Sequence, residues 1–346
     1  MKSDEITLLA CGDVFVQRPD PGKTFRQVRD VFHQADIVFC NWESTLCSRD
    51  TPSTPFLRII HLRSDPEMAA SLVDAGIDIV SLANTHTMDY GPAGILQTMQ
   101  TLDQLGIRYV GVGRNIAEAH TPVIFDIKDT RIAFLGYHTY DQYATAASEV
   151  TPGQAMVRIS AYLPPPHVFR EEVSLMQQDI RAARKQADVV IVSWHWGQSM
   201  TRQLAVHQPY VGHLAIDAGA DIVLGHHAHV LQGVELYRGK PICYSIGNFV
   251  MDGGAPMSME TLVVKCIIAD KRIRKLAFLP AEGTRMGEAR ILPEAESGTL
   301  FRDMRALCAE VRTRFTIQNN EGVFALAARA AGKRRPSSKG SGPRKA

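Results

Sequence analysis

Apolar runs of five to seven residues alternate along most of the chain with segments of helical length. ITLLAC (6–11), DIVFC (36–40), IDIVSLA (77–83), RIAFLGY (131–137), DVVIVSW (188–194) and DIVLG (221–225) read as buried strands. FRQVRDVFHQA (25–35), PEMAASLVDAG (66–76), GILQTMQTLDQLG (94–106), VSLMQQDIRAARKQA (173–187) and YVGHLAIDAGA (210–220) read as helices between them. Several of these end in Gly or Ala-Asp just before the next strand, as short helix-to-strand connections require. Such alternation is the signature of an α/β domain.

The pattern changes after residue 230. Residues 231–247 read as strand, Arg238-Gly239-Lys240 turn and strand, and residues 261–281 repeat the hairpin with a turn near Ala269 to Lys271. Hairpins add antiparallel strands, so mixed sheets are expected. Residues 138–170, with Pro152-Gly153 and a run of prolines at 164–166, predict an insertion that covers a site. Residues 299–330 predict helix, and AGKRRPSSKGSGPRKA (331–346) predicts a disordered tail.

Composition narrows the class without naming it. The 346 residues are 45% hydrophobic and 21% charged, which suits an ordinary soluble protein and excludes collagen, coiled coil and wholesale disorder. The net charge of +2 conceals an asymmetry: six basic residues and no acid make the tail +6, leaving the rest at −4. A mildly acidic body offers no nucleic-acid groove. The tail is expected to be a solvated extension, with docking on an acidic partner as the alternative. Six cysteines without a CxxC sit mostly in apolar runs, so buried thiols in a reducing compartment are expected. The apolar stretch Ile6 to Cys11 is too short for a signal core or a membrane span, and no run approaches 18 apolar residues; the reading is cytoplasmic, without stable membrane insertion.

Chemistry gathers just after the strands. They are followed by Gly12-Asp13, by Asn41-Trp42-Glu43, by Asn84-Thr85-His86 with Asp89, by His195-Trp196-Gly197, and by His226-His227-Ala228-His229. Strand C-termini are where α/β sheets place ligands, so these ends should converge. Imidazole, carboxylate and amide groups without a thiolate favour a borderline divalent ion such as Mn, Fe or Zn. Asp13 or Glu43 could bridge two ions; spacing alone leaves one ion or two open. His138, Tyr140 and Asp141 follow another strand and are further candidates to face the site.

The ordered set Gly12-Asp13, Asn41-x-Glu43, Ala83-Asn84-x-His86-x-x-Asp89-x-Gly91, His195-Trp196-Gly197, His227-x-His229 and Tyr244-Ser245-x-Gly247-Asn248-Phe249 resembles the CapA family. These are the poly-γ-glutamate biosynthesis-type proteins of the calcineurin-like metallophosphoesterase superfamily. The resemblance implies a four-layer α/β/β/α sandwich with mixed sheets and a metal site at one edge. It makes Asp13, Glu43, His195, His227 and His229 metal ligands, with Glu43 the bridge. It makes His86 the catalytic histidine, with Asp89 holding it or acting as a second acid/base. Asn248 or Asp252 would support the imidazoles, and His226 would stand outside them. Two positions depart from the superfamily pattern: Phe15 replaces a histidine ligand, and Thr85 stands where an amide ligand is usual, so Asn84 is the substitute metal ligand or one ion is held weakly.

The expected organisation is a CapA-like domain over residues 1–285 with the insertion 138–170, a helical extension over 286–330 and the tail 331–346. The expected activity is that of a metal-dependent hydrolase, cutting a phosphoester or a poly-γ-glutamyl or peptide amide in a small-molecule or peptide substrate. The alternatives are a metal-dependent peptide or amino-acid epimerase, with His86 and Asp89 exchanging an α-proton from opposite faces, and a non-catalytic accessory protein. The expected absence of an N-terminal membrane segment weighs against an envelope-bound polymer synthase.

Overall fold

Alternate residues on each long strand part company. On Ile6–Phe15, Ile6, Leu8 and Ala10 join one apolar cluster while Leu9 and Cys11 join another. The same division separates Ile37 and Phe39 from Val38 and Cys40 on Ile37–Trp42, and Ile79 from Val80 on Ile79–Ser81. On Thr130–His138, Val189–His195 and Ile222–His226, the residues Phe134, Ile191 and Leu224 enter that first cluster, whereas Leu135, Val192 and Val223 enter a third. A side-chain period of two therefore builds one core between two sheets and a separate apolar layer behind each. This is a computed structural model, and it describes residues 4–54, 60–139, 145–160, 167–253 and 259–326.

Helices complete the outer layers. Gly91–Leu105 packs Ile95, Met99 and Leu102 behind the first sheet. Arg170–Gln186 and His207–Ala218 pack Met176, Ile180, Val211 and Ala215 behind the second. The result is the four-layer α/β/β/α sandwich that was expected. In the first sheet Ile6–Phe15, Ile37–Trp42, Ile79–Ser81 and Arg108–Val110 run parallel, and the hairpin Glu260–Ala269 and Arg272–Glu282 adds antiparallel strands. In the second, Thr130–His138, Val189–His195, Ile222–His226 and Lys240–Cys243 run parallel between two antiparallel edges. Both sheets are mixed.

Two local expectations give way, and the hairpin turn expected near Ala269 to Lys271 is found there. Residues 25–35 hold only the helical turn Arg29–Phe32, because successive turns already bury Phe25, Val28 and Phe32. The hairpin turn after Ala269 is Asp270-Lys271, both left-handed. Among the described residues of this stretch, up to 326, helix is confined to Gly298–Glu310, and Phe315–Gln318 pairs with Glu321–Phe324 as a hairpin. Asn319 and Asn320 both have positive φ, the geometry of a two-residue hairpin turn that asparagine tolerates, and it outweighs the helical spacing. This hairpin extends the first sheet, and Leu300, Met304, Phe315 and Phe324 fill the inter-sheet core against Phe278.

All six cysteines are free and buried. No helix among the described residues is long and apolar enough to cross a membrane. The tail 331–346 lies outside the described residues, as do 140–144 and 161–166 of the 138–170 segment.

Candidate metal centre

Continuing the inward-facing positions to the strand ends leads to the chemistry. From Ile37 and Phe39 the same face carries Asn41 and then Glu43; from Val189 and Ile191 it carries His195; from Ile222 and Leu224, His226; and from Ile132 and Phe134, His138. All five are buried. Asp13 would face away by strict alternation from Ala10, but the pairing register shifts between Ala10 and Asp13 and turns it inward. Gly12 permits that shift. A Cβ there would lie 1.9 Å from the carbonyl oxygen of Gly247, which instead accepts the Asp13 N–H at 3.0 Å.

Two groups of donors result, Asp13 with Glu43 and His229, and Glu43 with His195 and His227. Within each, the candidate donor atoms lie within 4.8 Å of one another, and Glu43 is common to both. His195 Nε2 and His229 Nε2 stand 3.5 Å and 3.7 Å from Glu43 Oε1, and His229 Nδ1 is 3.3 Å from Asp13 Oδ2. His227 and His229 sit on a turn with φ of +86° and +55°, left-handed backbone that costs a non-glycine residue about 1–3 kcal/mol and concentrates at functional sites.

Neighbouring groups orient these donors. Asp13 Oδ1 accepts from Asn41 Nδ2 at 2.8 Å and lies 3.1 Å from His226 Nδ1, which leaves Oδ2 toward His229 and the His227 N–H. Asn248 Oδ1 is 2.8 Å from His229 Nδ1; a proton there leaves the Nε2 lone pair toward Glu43. Burial pushes the Asp13 carboxyl up, yet hydrogen bonds and charge from His226 and His229 outweigh it and hold Asp13 below the usual carboxylate range. Burial pulls His229 down, but the charges of Glu43 and Asp13 and hydrogen bonds to Asp13 and Asn248 bring it up to about 9. His195 is pushed well below its ordinary value by burial and then by His227 and His138. The cluster thus attracts positive charge to its carboxylate side and keeps His195 neutral. Buried carboxylates and imidazoles in this arrangement fit a borderline divalent cation.

The Asn84–Asp89 segment divides its work. Asn84 Oδ1 accepts from His86 N and Thr87 Oγ1, each at 3.0 Å, and its Nδ2 donates to the Trp42 carbonyl at 2.7 Å. It shapes the loop. Thr85 Oγ1 instead reaches the second group, 2.9 Å from His195 Nε2 and 3.2 Å from His227 Nδ1. His86 Nδ1 lies 2.6 Å from Asp89 Oδ2, which also accepts the Leu62 N–H at 2.7 Å. Asp89 is fully buried behind a partly exposed His86, and the two side chains are in direct contact. Asp252 does not support an imidazole; it forms a buried bidentate ion pair with Arg18. Phe15 is buried and accepts the Asp252 N–H through its carbonyl.

His138 packs its ring against His195, with centroids 5.3 Å apart and planes at 70°. Tyr140 and Asp141 lie outside the described residues, as do 254–258 of the neighbouring loop. In the sequence Asn41 had no role beyond its motif, and Asp252 had no link to Arg18. Inward parity could have flagged Asn41. Nothing local could have paired residues 18 and 252.

The bacterial capsule synthesis protein PGA_cap model matches residues 7–253. The capsule biosynthesis protein CapA of Bacillus anthracis is 27% identical over 288 residues, covering 81% of this chain and 68% of that protein. The PGA biosynthesis protein CapA of Bacillus subtilis (strain 168) is 31% identical over 243 residues, 70% of this chain, which spans only 60% of that relative. A probable polyglutamine synthesis accessory protein of Mycobacterium tuberculosis is 26% identical over 294 residues, covering 82% and 74% respectively. A solved structure from Thermus thermophilus, that of TT1561, shares 10% identity over 75% of this chain and 93% of its own, with a TM-score of 0.41. The family match runs from the first core strand through every donor described above, and the chain belongs to the bacterial capsule synthesis protein family PGA_cap, that of CapA.

Proposed function

We propose that this chain is a metal-dependent hydrolase of the metallophosphoesterase type, acting on a phosphoester or on a γ-glutamyl or peptide amide in capsule or poly-γ-glutamate metabolism. The observation that carries the reading is the pair of buried donor groups sharing Glu43, with the His86–Asp89 relay beginning one residue from Thr85. Divalent cations bound there, with Mn, Fe and Zn all suited to the donors, supply Lewis acidity that makes water nucleophilic near neutral pH and offsets charge on the attacked group. Asp13, Glu43, His195, His227 and His229 hold them. Asp89 keeps the Nδ1 proton of His86 engaged, so Nε2 faces the substrate side and gives a proton to the leaving oxygen or nitrogen as its bond to phosphorus or carbon breaks. Asn41, His226 and Asn248 fix the orientation of Asp13 and His229.

The test is turnover of a phosphoester and γ-glutamyl panel by Mn-loaded protein. His227→Ala is expected to abolish activity, and His86→Ala to lower kcat by about 10²–10⁴-fold. Absence of turnover with Mn, Fe and Zn alike would count against catalysis and favour the accessory reading, which the mycobacterial relative's printed name supports. Deuterium uptake at a substrate α-carbon without bond cleavage would transfer the site to proton exchange.

A further inference from the structure

The helix Gly298–Glu310 ends in a left-handed turn. Arg312 has φ of +56°, its N–H donates to the Ala309 carbonyl at 3.0 Å, and the Thr313 N–H donates to the Cys308 carbonyl at 2.8 Å. That pair of bonds reverses the chain at a position where glycine is usual, and here an arginine takes it. Arg314 and Phe315 are thereby brought back beside Arg305 and Ala309. Together with Thr313 they line a groove of about 250 Å³ with no carboxylate in its wall. Its floor is anchored: Phe315 packs against Phe278 in the inter-sheet core, and Thr313 Oγ1 accepts the Leu236 N–H at 3.2 Å.

Positive charge is gathered there and left uncompensated. Arg305, Arg312 and Arg314 are all exposed, and none meets a carboxylate among the described residues. The nearby Asp303 is instead taken by Arg202 at 3.1 Å. The Arg305 guanidinium stands 5.9 Å from the centre of the Phe315 ring, so a neutral group positions it and its charge stays available to a ligand. Guanidinium groups around an apolar floor suit a chain that carries carboxylates close to its backbone between short methylene spacers. A γ-linked glutamyl chain has that form, whereas an α-linked acidic peptide carries each carboxylate at the end of a side chain. The groove lies beyond residues 7–253, the span that the family model matches, yet its helix reaches the metal centre. Arg202, the partner of Asp303, follows two residues after Met200, whose N–H donates to the Ala228 carbonyl at 2.8 Å between His227 and His229. From Asp303 to Ala309 is about 9 Å of helix.

We propose that this groove is an exosite for a linear polycarboxylate, a chain of γ-glutamyl units, which it grips away from the metal centre. The identity of the polymer rests on the reading of this chain as acting in γ-glutamyl metabolism; the grip itself does not rest on catalysis.

The experiment is fluorescence anisotropy of a labelled γ-linked glutamate decamer with the metal-stripped full chain, beside an α-linked decamer of the same charge. The γ-linked decamer is expected to bind, and to bind more tightly than the α-linked one. Arg305→Gln and Arg314→Gln are each expected to weaken it by about two- to fivefold, and both together by about tenfold. Added salt weakens the parent and narrows these differences. Arg272→Gln removes an exposed charge at the start of the strand Arg272–Glu282 and is expected to leave the affinity unchanged. Arg305→Ala or Arg314→Ala replaces a glutamine variant that fails to fold by circular dichroism. Absence of γ-linked decamer binding to the folded parent, equal or tighter binding of the α-linked decamer, or losses in Arg272→Gln as large as those in the groove variants overturns the proposal. Decamer binding without turnover would sink the hydrolase reading and leave the exosite standing; turnover of small substrates without decamer binding would sink the exosite alone.

Discussion

At the scale of single residues, Asp13 and His229 depend on partners far away in the chain. His229 is oriented by Asn248, whose side chain both meets the ring at Nδ1 and donates to the His229 carbonyl at 3.3 Å. Asn248→Ala is therefore expected to cost about 10–100-fold in metal affinity, as loss of such orienting partners does. Calorimetric titration with Mn²⁺ reads this directly; an unchanged constant would show that the ring is held by Asp13 alone. The donors Asp13, Glu43, His195, His227 and His229 stood out in the chain because imidazole and carboxylate follow apolar runs. Asn41, Asn84 and Asn248 stood in the same motifs, and Asn248 was expected to support an imidazole, but only tertiary contacts fix which atom each one meets.

Elements hold the site through their ends. The helix His207–Ala218 starts at a buried histidine whose Nε2 accepts the Gly197 N–H at 3.1 Å, tying the helix to the segment just after His195. Burial lowers His207 to about 4, so the folded protein keeps it neutral. Between its ordinary value near 6.5 and 4, the unfolded chain binds a proton that the folded chain refuses, and stability falls as pH drops through that window. At 1.36 kcal/mol per unit the loss approaches about 3 kcal/mol. His207→Gln, whose amide oxygen can accept the same N–H, should remove that slope. Denaturant unfolding at about pH 6.5 and about pH 4.5 measures it, and parallel losses in parent and variant would exclude His207 as the cause. Helix and strand identity was legible wherever an apolar period ran long, as in Gly91–Leu105 and Val189–His195. It failed where a turn residue outweighed the period, as Asn319-Asn320 did.

For the whole molecule, the cluster lies where both sheets meet, with Asp13 and Glu43 from the first and His195 and His227 from the second. An ion bound there stabilises the contact between sheets. Removing divalent ions with a chelator is expected to lower Tm by about 5 °C, since saturation at about 100 times Kd contributes roughly 2.7 kcal/mol. Restoring Mn²⁺ should return it, and Asp13→Asn should abolish the difference. Scanning calorimetry with and without chelator decides the matter; a Tm indifferent to both treatments would mean the cluster binds no ion in the native protein.

The chain by itself determined the α/β class, the strand ends that bear chemistry and the donor types, because burial and hydrogen-bonding capacity are properties of local composition and period. Tertiary structure decided the rest. A register shift beside Gly12 turned Asp13 inward, and the meeting of two sheets made Glu43 common to two donor groups. The segment after Ile79–Ser81 put Thr85 rather than Asn84 against His195 and His227. Each is a relation between backbones distant in sequence, set by sheet pairing and close packing, and no local pattern of residues encodes it.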